Sequence, residues 1–140
     1  MIAGQVLDLQ NEGNPFYNQQ ILYDIYLNKT AKLIMAPVLM ASIIAGEKHF
    51  DKLKVFAYNL GIMFQIADDI LDVEGSLESI GKTPNKDKES DKLTSIKIFG
   101  LDGAKLKKKE HYDSCIKALE GINNNEFLLE FAKIIYERKN

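Results

Sequence analysis

Apolar residues recur at helical spacing through most of this chain. Residues 1–10 predict a short apolar-rich helix, closed by the turn cluster Asn11-Glu12-Gly13-Asn14-Pro15. Residues 18–28 predict an amphipathic helix, with Ile21, Leu22, Ile25 and Tyr26 at helical spacing. Lys29-Thr30 then lead into the longest apolar run, Leu33 to Gly46. That run is too short to span a bilayer and predicts a buried core helix, kinked or interrupted at Pro37. Residues 50–74 give the longest predicted helix, roughly 37 Å at 1.5 Å per residue. From Val55 to Ala67 almost every side of it is apolar, so it should be buried all round. Gly75 is its expected C-cap. A polar, lysine-rich loop follows. Leu93–Phe99 predicts a short helix, and Asp102–Leu119 and Glu126–Arg138 predict two amphipathic ones. With no alternating strand pattern and no internal repeat, the expected class is all-α.

Composition adds bounds rather than detail. The 140 residues are 46% hydrophobic and 27% charged, which suits one globular segment with its own core. The net charge of −2 gives no general attraction to nucleic acid or to an anionic membrane surface. A single cysteine, Cys115, excludes an intrachain disulfide framework and a thiolate metal cluster. A reducing, cytoplasmic setting is expected.

One stretch of the longest helix breaks its apolar pattern: Phe64-Gln65-Ile66-Ala67-Asp68-Asp69-Ile70-Leu71-Asp72. Gln65, Asp68, Asp69 and Asp72 stand at i, i+3, i+4 and i+7, so they form one polar stripe. The stripe lies in the last two turns before Gly75. There the helix dipole is negative and each acid loses about 0.3–1 kcal/mol. No lysine or arginine lies between Val55 and Ser79 to neutralise it. A solvated acidic face is the plain alternative. A divalent-cation site explains more, because hard cations take carboxylate oxygens, and Mg²⁺ combines one or two carboxylates with phosphate oxygens and water. The calcium-loop pattern D-x-D-x-D-G is absent, and so is a glycine-rich phosphate loop. Phosphate partners are available in Lys29, Thr30, Lys82, Lys86 and Lys92. For Lys86 and Lys88 a solvated linker is the expected reading.

The segments Gly4-Gln5-Val6-Leu7-Asp8, Lys29–Ile34, Phe64–Gly75 and Gly81-Lys82, followed by Asp87, Lys92 and Thr94, resemble the C-terminal half of a trans-isoprenyl diphosphate synthase. Farnesyl diphosphate synthases are the type most alike. The resemblance runs from Gly4 to about Ala104. It implies an antiparallel helix bundle of the isoprenoid synthase type, normally a homodimer. Two aspartate-rich motifs face each other across a deep cavity and bind Mg²⁺, with Mn²⁺ as the alternative ion. The implied reaction is ionisation of an allylic diphosphate (geranyl or dimethylallyl), attack by the isopentenyl diphosphate double bond, and proton loss. Asp68, Asp69 and Asp72 match the second motif, with Asp68 as the main metal ligand. Gln65, Lys29, Thr30 and Lys82 match positions on the allylic diphosphate, Lys92 a further phosphate-side lysine, and Gln5 and Asp8 the cavity wall. Lys29 and Thr30 are therefore candidate catalytic residues beside Asp68.

Departures accompany the match. Tyr26 stands where many members have histidine, Asn85 where glycine is usual, and Ser95 where tyrosine is usual. The first aspartate motif and the isopentenyl diphosphate residues fall on no segment of residues 1–140. The expectation is one all-α segment that forms the C-terminal part of a synthase domain and is inactive without the N-terminal half of the bundle. A non-catalytic partner or regulatory subunit of the same fold is the alternative, and a terpene cyclase is disfavoured by the DDxxD form of the motif. Elsewhere, His49 and His111 are expected at the surface, Cys115 as a packed or half-exposed thiol, and residues 105–110 as a solvated face. Gly61 should mark close helix packing. Tyr17, Tyr23 and Tyr26 should be core or dimer contacts.

Overall fold

The computed structural model describes residues 1–79 and 92–139, and every regular element among them is helical. The elements are α1 (Ile2–Gln10), α2 (Gln19–Tyr26), a π-turn (Leu27–Ala31), α3 (Lys32–Ile44), α4 (Phe50–Ser79), α5 (Ser95–Ala118) and α6 (Glu126–Glu137). The expected all-α class and bundle are found.

α4 is the central helix, and two of its faces are buried in different directions. Ile62, Ile66 and Ile70, at i, i+4, i+8, pack with Leu22, Ile25, Tyr26, Ala31, Leu93 and Ala104. Phe56, Ala57, Leu60 and Met63 pack with Cys115, Ala118, Leu119, Ala132 and Ile135. Each of the larger side chains contributes about 1.5–3 kcal/mol by leaving water. Such two-sided burial is why Phe56 to Ala67 reads as apolar all round. Val55 is the exception at 49% exposed.

Four sequence expectations change. The run Leu33–Gly46 is not a buried core helix: α3 buries only Ser42 and leaves Leu33, Met40, Ile43 and Ile44 exposed. α2, the π-turn and α3 form one continuous 26-residue helix, Gln19–Ile44, that runs through Pro37 without interruption. That helix is long and apolar enough, by length and composition, to cross a membrane. The 14-residue apolar run missed this because the amphipathic turns before it join on. α4 continues past Gly75 to Ser79, so Gly75 is not its cap. The acidic stripe therefore lies farther from the negative end of the helix, where the dipole penalty has faded. The two helices expected around residue 100 meet at a kink, where Gly100 takes φ 69°.

Local chemistry explains the helix starts. Asn18 Oδ1 accepts from the Ile21 amide at 3.0 Å and caps α2. Thr94 Oγ1 accepts from the Lys97 amide at 3.2 Å and caps α5. The π-turn is gripped from both sides by glycine. A Cβ on Gly4 would lie 2.1 Å from the Lys29 nitrogen, and one on Gly61 would lie 2.5 Å from the Ala31 Cα. Only residues without a side chain let α1 and α4 approach the turn that closely. The expected packing role of Gly61 is thus met. Apolar side chains remain exposed on α1 (Ile2, Val6, Leu9), on α3 (Leu33, Met40, Ile43, Ile44) and on α6 (Phe127, Phe131, Ile134).

Candidate functional site

A cavity of about 360 Å³ opens where α1, the π-turn, α4 and the start of α5 converge. Its walls are Asp8, Ile25, Tyr26, Lys29, Thr30, Phe64, Gln65, Asp68, Asp69, Asp72, Lys92, Leu93 and Thr94. Eight of the sequence candidates thus share one space: Asp8, Lys29, Thr30, Gln65, Asp68, Asp69, Asp72 and Lys92. Gln5 does not; it is exposed on α1, one turn before Asp8. Lys82 lies outside the described residues, as do Asn85, Lys86, Asp87 and Lys88.

The π-turn aims Lys29 and Thr30 into this space. A π-turn inserts one extra residue per turn and rotates the side chains that follow, which is why such turns recur at functional sites. Lys29 Nζ donates to Asp8 Oδ2 at 2.5 Å, and Asp8 is only 3% exposed. The lysine stem is thereby fixed while its ammonium stays partly exposed. Thr30 Oγ1 donates to Gln65 Oε1 at 2.5 Å, joining the π-turn to the acidic stripe of α4.

The three acids of the stripe have three different settings. Asp68 Oδ1 accepts from Arg138 Nη1 at 2.8 Å, and both groups are more than a third exposed. Asp72 is exposed at the rim. Asp69 is turned inward and half-buried. Its Oδ2 accepts from the Ser95 amide at 2.6 Å, from Ser95 Oγ at 2.8 Å, and from the Tyr26 hydroxyl. Burial pushes the Asp69 carboxyl above the usual range, and the Tyr26 and Ser95 hydrogen bonds work against that rise. Burial also raises the Tyr26 hydroxyl strongly, with the Asp69 charge adding to the effect, so the phenol stays a donor. Since Asp69 contacts the first amide of α5, it also sits at the positive end of that helix.

The question of charge neutralisation now has an answer that local sequence did not hold. Arg138 faces Asp68 from the far end of the chain, Lys105 pairs with Glu74 at 2.7 Å, and Asp69 is held by dipoles. No motif announces Arg138. Ser95 was visible only as a departure from the family pattern, and Tyr26 as a departure and a core contact, not as partners of Asp69.

His111 departs from its expected surface place. Asn59 Nδ2 donates to the Val55 carbonyl at 2.8 Å, which leaves its Oδ1 facing His111 Nδ1 at 2.8 Å. His111 Nε2 then accepts from the Tyr23 hydroxyl at 3.1 Å. Burial lowers the imidazole to about 4. Cys115 is buried, as expected, and burial pushes its thiol up to about 12.

Among the described residues, no three of the His, Cys, Asp and Glu side chains are grouped closely enough to hold a metal ion alone. The donor set instead suits a hard cation that takes one or two carboxylates and completes its shell with water and phosphate oxygens. Asp68 and Asp72, at i, i+4 with cavity-facing carboxylates, are the residues that fit. Lys29, Thr30 and Lys92 supply donors for an anion beside them.

A polyprenyl synthetase family model matches residues 1–130. The chain belongs to the polyprenyl synthetase family. It is 41% identical to a farnesyl diphosphate synthase of Micrococcus luteus over 89% of its own length and 44% of that protein's. It is 37% identical to a chloroplastic geranylgeranyl pyrophosphate synthase of Capsicum annuum, over all of this chain and 39% of that one. A geranyltransferase of Helicobacter pylori, solved with magnesium and isoprenyl diphosphate, superposes with a TM-score of 0.73 at 31% identity. That alignment covers 96% of this chain and 45% of the other. The chain thus spans about half the length of these polyprenyl synthetases. In each it aligns with the C-terminal part.

Proposed function

We propose that this chain forms the C-terminal part of a trans-isoprenyl diphosphate synthase, which condenses isopentenyl diphosphate with an allylic diphosphate to give a longer trans-prenyl diphosphate. The observation that carries this is the shared cavity, where three stripe aspartates meet Lys29, Thr30, Gln65 and Lys92. Asp68 is the main Mg²⁺ ligand, and Asp69 and Asp72 ligate directly or through water. Bound Mg²⁺, or Mn²⁺ in its place, supplies positive charge to an allylic diphosphate leaving group.

The chain's own residues orient that group. Lys29, held by Asp8, offers a fixed point charge. The Thr30 hydroxyl and Gln65 amide contribute hydrogen bonds, and Lys92 closes the phosphate side; the family resemblance alone adds Lys82 as a further diphosphate lysine. Asp8 forms part of the wall, and Gln5, expected there, stands outside it on the exposed side of α1. Ile25, Phe64 and Leu93 give the cavity an apolar lining that limits water. The single DDxxD in these 140 residues supplies one of two metal clamps, so residues 1–140 alone bind without turning over. A homodimer in the cytoplasm, completed by an N-terminal half of the bundle, is the proposed working form.

Calorimetric titration of the chain with geranyl diphosphate tests this. Binding is expected with Mg²⁺ and not without it, with Asp68→Ala weakening it at least about tenfold and Lys82→Ala less. Magnesium-independent binding that survives Asp68→Ala would contradict the assignment. A longer prenyl product formed by the chain alone would contradict the inactivity.

A further inference from the structure

We propose that Tyr26 is a positioning residue of this site: together with Ser95 it anchors Asp69 and so fixes the start of α5, with Lys92 and Thr94, against the acidic stripe. The inference rests on the metal–diphosphate assignment above.

Burial and geometry carry it. Tyr26 is 3% exposed and Ser95 is fully buried, so their polar groups meet Asp69 away from water. Three donors converge on the single oxygen Oδ2: the Tyr26 hydroxyl, the Ser95 hydroxyl and the Ser95 amide. The Ser95 amide also lies 2.9 Å from Tyr26 Oη, so phenol, carboxylate and helix start form one closed cluster. Desolvated charge-assisted bonds of this kind are stiff, because losing one donor leaves a buried acceptor under-satisfied.

Position in the chain gives the cluster its consequence. Tyr26 is the last residue of α2, directly before the π-turn that presents Lys29 and Thr30. Ser95 is the first residue of α5, directly after the cavity residues Lys92 to Thr94. One node therefore ties both cation-bearing walls to α4. It also divides labour within the stripe. Asp69 spends Oδ2 on the anchor, which leaves it only Oδ1 for the cation or its water, while Asp68 and Asp72 are the main carboxylates for it.

The test uses the 140-residue chain, inorganic diphosphate and Mn²⁺, with free Mn²⁺ read by electron paramagnetic resonance. Tyr26→Phe and Ser95→Ala should each weaken Mn²⁺–diphosphate binding about fivefold to tenfold. The double variant should lose less than the sum, since both act through Asp69. Tyr23→Phe is the matched control. It removes a hydroxyl from the same helix, bonded to His111 rather than to a cavity residue, and should lower the melting temperature without changing affinity. Equal affinities for wild type and both cluster variants, or losses no larger than that of Tyr23→Phe, would overturn the positioning role alone. Should Tyr26→Phe not fold, Ser95→Ala decides. A wild-type chain that binds no Mn²⁺ with diphosphate would overturn the site assignment and this inference together.

Discussion

Arg138 Nη1 donates to Asp68 Oδ1 at 2.8 Å, joining the residue after α6 to the middle of the acidic stripe 70 positions earlier. The guanidinium also lies over the Phe64 ring, 5.2 Å from its centre. Asp68 thus already has a counter-ion where a metal would bind. Both partners are well exposed, so the pair contributes only about 0.2–1 kcal/mol. Arg138→Gln should therefore tighten binding of Mn²⁺ alone by about twofold to fivefold. Calorimetry in the absence of diphosphate checks this, and weaker binding would mean that Arg138 assists the metal instead of competing with it.

The π-turn depends on two glycines it does not contain. Gly61→Ala would drive a methyl to 2.5 Å from both Cα and Cβ of Ala31, and Gly4→Ala would meet Lys29 backbone at 2.1 Å. Backbone cannot yield as a flexible side chain does. Each variant should lose about 1–3 kcal/mol or more, seen as a lower melting temperature. Because the strain falls on residues 28–31, binding by Lys29 and Thr30 should weaken as well.

Acid should destabilise the bundle through His111. Its folded value, about 4, lies below the 6.5 of a free imidazole. Between these values the unfolded chain binds more protons, so stability rises with pH. The contribution is fully present above about pH 6.5 and is lost as pH falls toward 4. Urea midpoints across pH 7.5 to 4.5 should fall for the wild type. His111→Gln, which cannot titrate, should remove much of that slope.

Helical class and the acidic stripe were legible because both are periodic: Ile62-Ile66-Ile70 and Gln65-Asp68-Asp69-Asp72 repeat at helical spacing. Gly61 was legible as a packing mark for the same local reason. Helix ends were less so. Gly75 carried the usual stop signal, yet α4 runs on to Ser79, and Pro37 fits inside a helix already propagated by the turns before it. His111 was misplaced because its partners, Tyr23 and Asn59, lie 88 and 52 residues away. Arg138 was invisible as a site residue for that reason too. Tertiary pairing of distant polar groups leaves no periodic trace in one sequence.

Asp68 and Asp72, held between Lys29, Thr30 and Lys92, are claimed to bind a divalent cation carrying a diphosphate. Paramagnetic broadening of backbone amide signals by Mn²⁺, in the presence of inorganic diphosphate, locates the ion most directly. The account predicts that broadening centres on residues 64–72 and extends to 29–30 and 92–95, with Asp68→Ala abolishing it. Broadening centred instead on the acidic residues of α5, such as Glu110 and Asp113, or unchanged in Asp68→Ala, would contradict it.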